Sequence, residues 1–152
     1  MIESWAGPTW LLFHALAEKI NETFLKNHTS EVLQIIKDIC HNLPCPHCRH
    51  HAAVYMRSIN VSHINSREKI KDMFFTFHNA VNKRLKKKQY LKKDLEKYKY
   101  CRFNIIYVNF YKGFIKTYGT MLMAGYLSQN NARFRVTRTL NDWFKKNWHQ
   151  FW

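Results

Sequence analysis

Two cysteines in the stretch LPCPHCRHHA, Cys45 and Cys48, stand at a spacing that can do chemistry, and three histidines lie beside them: His47, His50 and His51. The thiolate form of cysteine binds soft metals, pairs into disulfides and attacks other disulfides. The spacing therefore leaves three possibilities open: a zinc site, a structural disulfide or a redox couple.

A zinc site at this position would need four ligands. Three thiolates and one imidazole are available, at Cys40, Cys45, Cys48 and His51. These ligands are crowded into one short segment, and no second group at comparable spacing follows, which weighs against zinc. The zinc site stays as the alternative, and we predict no metal ligand.

The chain has no segment typical of export or of membrane insertion. No apolar run is long enough to span a bilayer, and the first residues, MIESWAGPTW, lack the basic start and apolar core of a secretory signal. We therefore expect no transmembrane segment and a cytoplasmic location, where thiols are kept reduced. Structural disulfides are disfavoured there, so the four cysteines indicate metal binding or redox chemistry.

The position of the cysteines in a predicted helix suits redox chemistry. Pro46 fits the first helical position, so Cys45 and Cys48 both lie in the first turn. The positive end of the helix dipole, with His47 and Arg49, favours the thiolate form. A thioredoxin-like motif would follow a strand, whereas an amphipathic helix precedes this one. A dithiol oxidase also requires a cofactor that accepts two electrons.

Two further segments carry groups that can hold such a cofactor. In FTFHNAVNKRL, His78 and Asn82 lie one helical turn apart with Asn79 alongside, and in WLLFH, Trp10 and His14 share one helix face. Rings can stack and amides can form hydrogen bonds. Cations suited to phosphates follow at Lys83, Arg84 and Lys87. Each segment alone is also compatible with ordinary core packing.

Apolar periodicity predicts that these segments lie on helices. The expected helices run from Pro8 to about Leu25, from Thr29 or Ser30 to Leu43, from Pro46 to about Ser58 and from Ser66 past Leu85, with a short fifth at about 91–100. Amphipathic helices with short links predict an all-α fold, a four-helix bundle with a short fifth helix.

The residues after Cys101 form an aromatic-rich extension, which we predict to be mostly helical. Gly113, Gly119 and Gly125 interrupt its first part, which indicates a broken helix. After an expected break at SQNNA, a final helix is predicted from apolar residues at every fourth position: Val136, Leu140, Phe144 and Trp148. We expect the extension to pack on the bundle or at a subunit interface.

Taken together, the three chemical segments resemble the FAD-linked sulfhydryl oxidases of the Erv/ALR family. That family has a tryptophan and a histidine on the first helix, CxxC at the start of the third and HNxVNxxLxK on the fourth. The last motif is complete here, as His78, Asn79, Val81, Asn82, Leu85 and Lys87. The chain looks most similar to the compact versions encoded by large cytoplasmic DNA viruses, over about residues 5–100.

The resemblance implies an FAD-binding oxidase domain at residues 1–101, followed by the extension at 102–152. It implies FAD contacts from Trp10, His14, His78, Asn79, Val81, Asn82, Lys83, Arg84 and Lys87. Cys45 would receive the substrate thiolate and Cys48 would face the flavin, which passes electrons to oxygen and yields hydrogen peroxide. A homodimer in the cytoplasm of an infected cell is implied, with packaging in the virion left open.

This chain departs from the family pattern by lacking a second CxxC. Only Cys40 and Cys101 remain, and neither belongs to such a motif. Electrons must then come directly from a partner, which we expect to be a thioredoxin-like carrier or another dithiol substrate protein.

The strong positive charge is the main feature that supports a competing function. Lys and Arg number 25 against 10 Asp and Glu, a formal charge of +15, and many lie in the run from Lys83 to Lys99. Such a charge attracts polyanions. The alternative function is therefore a basic Cys/His zinc module that binds nucleic acid. It leaves the HNxVN helix unexplained and no nucleic-acid motif is recognisable, so we expect no specific nucleic acid.

Overall fold

The computed structural model describes the backbone of residues 5–123 and 127–152, with the side chains of 5–114 and 135–152. Within these residues there are seven α-helices and no β-strand. The α-helices are α1 Ala6–Lys19, α2 Glu22–Asn27, α3 Thr29–His41, α4 Pro46–Arg57, α5 Arg67–Arg84, α6 Phe103–Met123 and α7 Leu127–Asn147. Short 3-10 helices occupy Val61–His63, Lys92–Tyr100 and Trp148–Gln150. The predicted all-α fold is confirmed.

Polar side chains determine where several helices begin. The Ser66 side chain accepts a hydrogen bond from the Lys69 N–H at the start of α5. The Asn21 side chain accepts a hydrogen bond from the Phe24 N–H at the start of α2. Because Asn21 caps a new helix, the first helix ends at Lys19, and its predicted extension to Leu25 is wrong.

The bundle consists of α1, α3, α4 and α5, with the 3-10 helix Lys92–Tyr100 beside α1. α1 and α5 pack antiparallel. Phe13 and Phe74 stack with ring centroids 4.8 Å apart in the buried core. Nearer the end of α1, Glu18 pairs with Lys71 at 2.8 Å. These two contacts set the register that brings the middle of α1 against the second half of α5.

The extension forms two long helices. Gly113 and Gly119 lie inside α6, and SQNNA lies inside α7, so the interruptions predicted there are wrong; Gly125 lies outside the described residues. A helical glycine costs only about 1 kcal/mol relative to alanine. Burial of aromatic residues on one face of α6 outweighs that cost: Phe103, Tyr107, Phe110 and Phe114.

The extension packs on the bundle through α1, α2 and α3. α6 lies against α1, and the Trp143 indole N–H of α7 donates to Glu31 of α3 at 2.7 Å. The tail closes the gap between α1 and α2, because the Asn21 N–H donates to the Gln150 carbonyl at 2.7 Å. The Trp152 N–H donates to the Lys19 carbonyl at 3.3 Å. Backbone groups left unpaired by the helix break thus find partners in the tail.

None of the helices found in residues 5–123 and 127–152 has the length and apolar character needed to cross a membrane.

Trp143 offers a test of the packing between the extension and the bundle. It is buried, it hydrogen-bonds Glu31, and its ring centroid lies 6.4 Å from that of Phe24. We expect Trp143→Ala to lower the free energy of unfolding by about 3–5 kcal/mol. Trp152→Ala, at a side chain that is 70% exposed, should change it by less than about 1 kcal/mol. Equal effects in urea unfolding would contradict this packing.

Candidate active site

The two cysteines of the CxxC motif lie at the start of α4. Cys45 has an extended backbone and caps the helix, and Pro46 occupies the first turn, as the sequence predicts. The Cys48 N–H donates to the Cys45 sulfur at 3.2 Å. The two Sγ atoms lie 2.6 Å apart, and both thiols are half-buried. Only a small shift separates this arrangement from a disulfide bond.

A cavity of about 380 Å³ opens between α1, α4 and α5, beside one of the two sulfurs. Cys48 lines this cavity, whereas Cys45 is not among its lining residues. The wall combines aromatic rings and cations. The rings are those of Trp5, Trp10, Phe77, His78, Tyr90 and Tyr98, and the cations are Arg84, Lys87 and Lys97. The cysteines therefore differ in position: Cys48 lies at the cavity wall and Cys45 does not.

Three rings from α1 and α5 form a layered wall. The indole of Trp10 stacks on the imidazole of His78 with centroids 3.9 Å apart and planes 3° apart. The Nε2 atom of His14 lies 2.9 Å from the Nδ1 atom of His78, at hydrogen-bond distance. Tyr98 covers the other side of His14 at 5.2 Å. The contact with His14 thus fixes the orientation of the His78 ring.

Both histidines are held neutral. Burial lowers the pKa of His14 to about 4, and the positive charge of Lys97 acts in the same direction. Burial also lowers the pKa of His78 to about 3, with smaller contributions from His14, Lys97 and Lys87. Two neutral imidazoles can share one N–H···N hydrogen bond, in which one ring donates and the other accepts. Protonation of both would replace that bond with two opposed donors.

The two asparagines of the HNxVN motif hold the loop that follows α5. The Asn79 amide donates to the Tyr90 carbonyl at 3.0 Å, and its oxygen accepts the Tyr90 N–H at 2.8 Å. Asn82 donates to the Lys88 carbonyl at 3.2 Å. Within this loop Lys86 has a positive φ of 55°. The asparagine amides thus act on the backbone of the loop, which carries Tyr90 to the cavity wall.

The structure brings most, but not all, of the predicted cofactor-binding residues to the cavity. The lining residues among them are Trp10, His78, Val81, Asn82, Arg84 and Lys87. His14 and Asn79 lie behind the wall, and Lys83 is exposed outside it. Their predicted direct contacts stay predictions.

Sequence reasoning missed several residues of the cavity wall. Tyr90, Lys97 and Tyr98 belong to the basic run from Lys83 to Lys99, in which the sequence indicated only Lys83, Arg84, Leu85 and Lys87 as part of a motif or site. Lys97 lies 5.9 Å from the Tyr90 ring centroid and 5.3 Å from that of Tyr98. The only signal was the tyrosines spaced among the lysines, which a solvated helix does not require.

The other two cysteines are unlike the CxxC pair. Cys40 is fully buried, and burial raises its pKa to about 12, so it is a neutral thiol. Burial also raises the pKa of Cys101. Across the described part of the chain, no three His, Cys, Asp or Glu side chains converge on a possible metal position. The four residues considered for zinc therefore do not form a site in this conformation.

The comparison with known proteins agrees with these motifs. A family model described as "Erv1 / Alr family" matches residues 8–101. This chain belongs to that family. The match begins before Trp10 and ends just after the 3-10 helix Lys92–Tyr100, so it includes the CxxC pair, the HNxVN motif and the Trp10–His14 segment. The predicted family membership is confirmed.

Viral proteins are among the relatives of this chain. Proteins named "FAD-linked sulfhydryl oxidase" from a Malawi tick isolate and a Kenya pig isolate of African swine fever virus are 37% and 36% identical over 84 residues. Each alignment covers 55% of this chain and 70% of the relative. A protein of Invertebrate iridescent virus 3 is 31% identical over 86 residues, 56% of this chain and 58% of the relative. No solved structure matches the chain at a significant level.

The neutral pair of His14 and His78 predicts a pH-dependent stability. Since folding lowers both pKa values from 6.5 to about 4 and about 3, the unfolded chain binds more protons between these limits. The free energy of unfolding must therefore fall as the pH decreases from 6.5 to about 4. When the pH is lowered from about 7.5 to about 5, the free energy of unfolding of both proteins should fall. We expect this fall to be about 1–2 kcal/mol smaller in His14→Gln than in the parent protein.

Urea unfolding followed by circular dichroism at both pH values measures this difference. His63→Gln is the matched control, because His63 is exposed. It should keep the pH dependence of the parent. The same loss in the parent and in His14→Gln would show that the pair does not stay neutral in the folded protein.

The hydrogen bonds of Asn79 predict a second stability effect. Asn79→Ala leaves the N–H and the carbonyl of Tyr90 without these partners, so we expect the free energy of unfolding to fall by about 1–3 kcal/mol. Hydrogen exchange at the Tyr90 amide should accelerate. Asn104→Ala, at an exposed position of α6, should change stability by no more than about 0.5 kcal/mol. Unchanged exchange at Tyr90 would contradict the role assigned to Asn79.

Proposed function

We propose that this protein is an FAD-dependent thiol oxidase that forms disulfides in a partner protein through the Cys45–Cys48 pair. The observation that carries the proposal is the division between the two sulfurs. Cys48 lines the aromatic cavity, while Cys45, in contact with it at 2.6 Å, lies outside the cavity wall. One sulfur is thus open to a substrate and the other to a cofactor. The names of the viral relatives agree with this function.

The residues around the cavity fit a flavin dinucleotide. The cavity volume of about 380 Å³ lies within the usual range of ligand pockets, about 300–1,000 Å³. Flat aromatic groups suit planar rings, and Arg84, Lys87 and Lys97 suit a pyrophosphate. Trp10 and His78 are in direct stacking contact, so a ring of the cofactor would lie against this pair and not between its members.

When bound, FAD accepts the electron pair of the Cys45–Cys48 dithiol and passes it to oxygen, which yields hydrogen peroxide. In our proposal Trp10, His78, Val81 and Asn82 hold its rings, and Arg84 and Lys87 hold its phosphates, with Lys83 adding positive charge nearby. His14 and Asn79 are positioning residues. His14 orients His78, and Asn79 fixes the loop after α5.

The cysteines complete their half of the reaction by two thiol–disulfide exchanges. A substrate thiolate attacks the Cys45 sulfur of the Cys45–Cys48 disulfide, forming a mixed disulfide and releasing Cys48 as a thiolate next to the cavity. A second substrate thiolate then attacks the substrate sulfur of the mixed disulfide. This step releases the substrate disulfide and leaves Cys45 reduced. Two electrons pass from the substrate to the cysteine pair, and the two thiol protons pass to solvent.

The start of α4 favours this order of events. The Cys48 N–H points at the Cys45 sulfur, and it stabilises negative charge on that sulfur when Cys45 leaves the mixed disulfide.

Neither Cys40 nor Cys101 belongs to a CxxC motif. The proposed substrate is therefore a thioredoxin-like carrier or another dithiol protein that reaches Cys45 directly. We propose that the enzyme acts as a homodimer in the cytoplasm, with residues 1–101 as the oxidase domain and 102–152 as its supporting extension.

Serine replacement of each cysteine tests the division of roles. We expect both Cys45→Ser and Cys48→Ser to lose oxygen consumption with dithiothreitol and to keep the yellow colour of bound FAD. With oxidised glutathione, Cys48→Ser should accumulate a glutathione adduct on Cys45, because the sulfur that would displace glutathione is missing. Cys45→Ser should form several-fold less adduct, because Cys48 faces the cavity.

Peptide mapping by mass spectrometry locates the adduct, and Cys101→Ser is the control for a thiol outside the motif. Cys101→Ser should retain full turnover with dithiothreitol. A stronger adduct on Cys48 than on Cys45 would reverse the assigned roles. A colourless protein with no turnover would refute the proposed function.

A further inference from the structure

The surface around the CxxC motif has no acidic residue of its own. No Asp or Glu occurs in the sequence between Asp38 and Glu68, an interval that contains all of α4. None occurs between Asp72 and Asp94, which spans most of α5 and the following loop. Both helices that flank the cavity mouth therefore carry positive charge that carboxylates of the same segments do not balance.

Three basic side chains of α4 lie close to the cysteine pair along the helix and are exposed or half-buried, and we name them the basic rim: His47, Arg49 and His50. Rings of His47 and His50 lie 4.5 Å and 5.8 Å from that of His51. Arg84 lines the cavity together with His51. Partial burial lowers the pKa of His51, and the positive charges of Arg84, His47 and His50 lower it further. The basic rim thus lies along the start of α4, and its two histidines contact His51, which lines the cavity.

The ion pairs of the described residues all lie elsewhere. They link Glu18, Glu22, Glu68 and Asp72 with Arg67, Lys71 and Lys92. These residues belong to the end of α1, the start of α2, the first half of α5 and the start of the 3-10 helix after the loop. In residues 5–114 and 135–152, Arg49 forms no ion pair, so its charge remains available to a partner.

We propose that the basic rim is the docking site for an acidic segment beside the cysteine pair of the substrate protein. This inference rests on the proposed function. Any substrate must bring a sulfur into bonding contact with Cys45, two residues from His47 and four from Arg49, well within one Debye length of about 8–10 Å. A substrate with basic residues there is repelled, and one with Asp or Glu is attracted and oriented. A polyanion such as nucleic acid is the competing occupant, but the rim begins within one helical turn of the sulfur that must receive a protein thiol.

Two dithiol peptides of identical core sequence test the charge preference, one with Asp and one with Lys on both sides of the cysteine pair. With the FAD-loaded protein at low salt, we expect kcat/KM for the Asp peptide to exceed that for the Lys peptide by at least about tenfold, mainly through KM. At about 1 M salt the preference should largely vanish. Dithiothreitol, an uncharged dithiol, reports turnover without docking.

A matched pair of variants locates the effect on α4. Arg49→Glu should reduce the preference for the Asp peptide several-fold, measured as the ratio of kcat/KM for the two peptides in the same variant, because a change in thiol reactivity affects both peptides equally and cancels in that ratio. Arg57→Glu makes the same change of charge on the same helix, about 12 Å farther along its axis, and should keep the parent preference. Equal losses in both variants would assign the preference to overall charge and overturn the docking site.

The remaining outcomes separate the inference from the function on which it rests. Turnover of dithiothreitol without any preference between the peptides overturns the docking site alone. No turnover of any dithiol refutes the proposed function, and the inference with it. Fluorescence anisotropy with a labelled DNA strand completes the test: DNA binding that Arg49→Glu abolishes, with unchanged peptide preference, would assign the rim to nucleic acid and overturn the proposal.

Discussion

The site depends on the buried contact between α1 and α5. Trp10 stacks on His78, and His14 lies at hydrogen-bond distance behind it, so one helix presents the ring and the other holds it in place. This contact is lost if both imidazoles are protonated, and burial keeps both neutral near neutral pH. The cavity wall therefore depends on the same packing that forms the bundle core. A change at this contact alters the fold and the site together.

The extension stabilises the side of the bundle away from the cysteines. α6 covers α1, and the C-terminal tail supplies partners to Lys19 and Asn21 at the break between α1 and α2. Without the tail, these backbone groups would need solvent or another partner. The aromatic residues of α6 and α7 bury their rings largely against one another, as in the stack of Phe103 on Phe151. Their abundance thus reflects the need for a second small core.

Charge is distributed unevenly between the two ends of α5. Its first half joins in ion pairs with Glu18 and Glu22, whereas its second half ends at Arg84 and continues into a lysine-rich loop. The cysteine pair lies near the second end. Positive charge serves two purposes in our account: Arg84 and Lys87 suit the phosphates of FAD inside the cavity, and the basic rim on α4 suits an acidic substrate outside it. Repulsion among these cations is tolerated because they are largely solvated.

The sequence alone determined those features of this protein that depend on local chemistry. Pro46 after Cys45 predicts the start of α4, and the spacing of His78 and Asn82 predicts a shared helix face, because both depend only on helix geometry. The motifs also indicated the family. The ends of the other elements were less predictable: the cap at Asn21 ended α1 early, and glycines failed to break α6.

Only the tertiary structure decided which side chains meet. It separated Cys48 at the cavity from Cys45 outside it, and it turned Asn79 toward the Tyr90 backbone. It also brought Lys97 and Tyr98, from the basic run between Lys83 and Lys99, to the cavity wall. Periodicity describes one helix at a time, whereas these contacts depend on the register between helices, which is set by the packing of Phe13 on Phe74 and the pairing of Glu18 with Lys71.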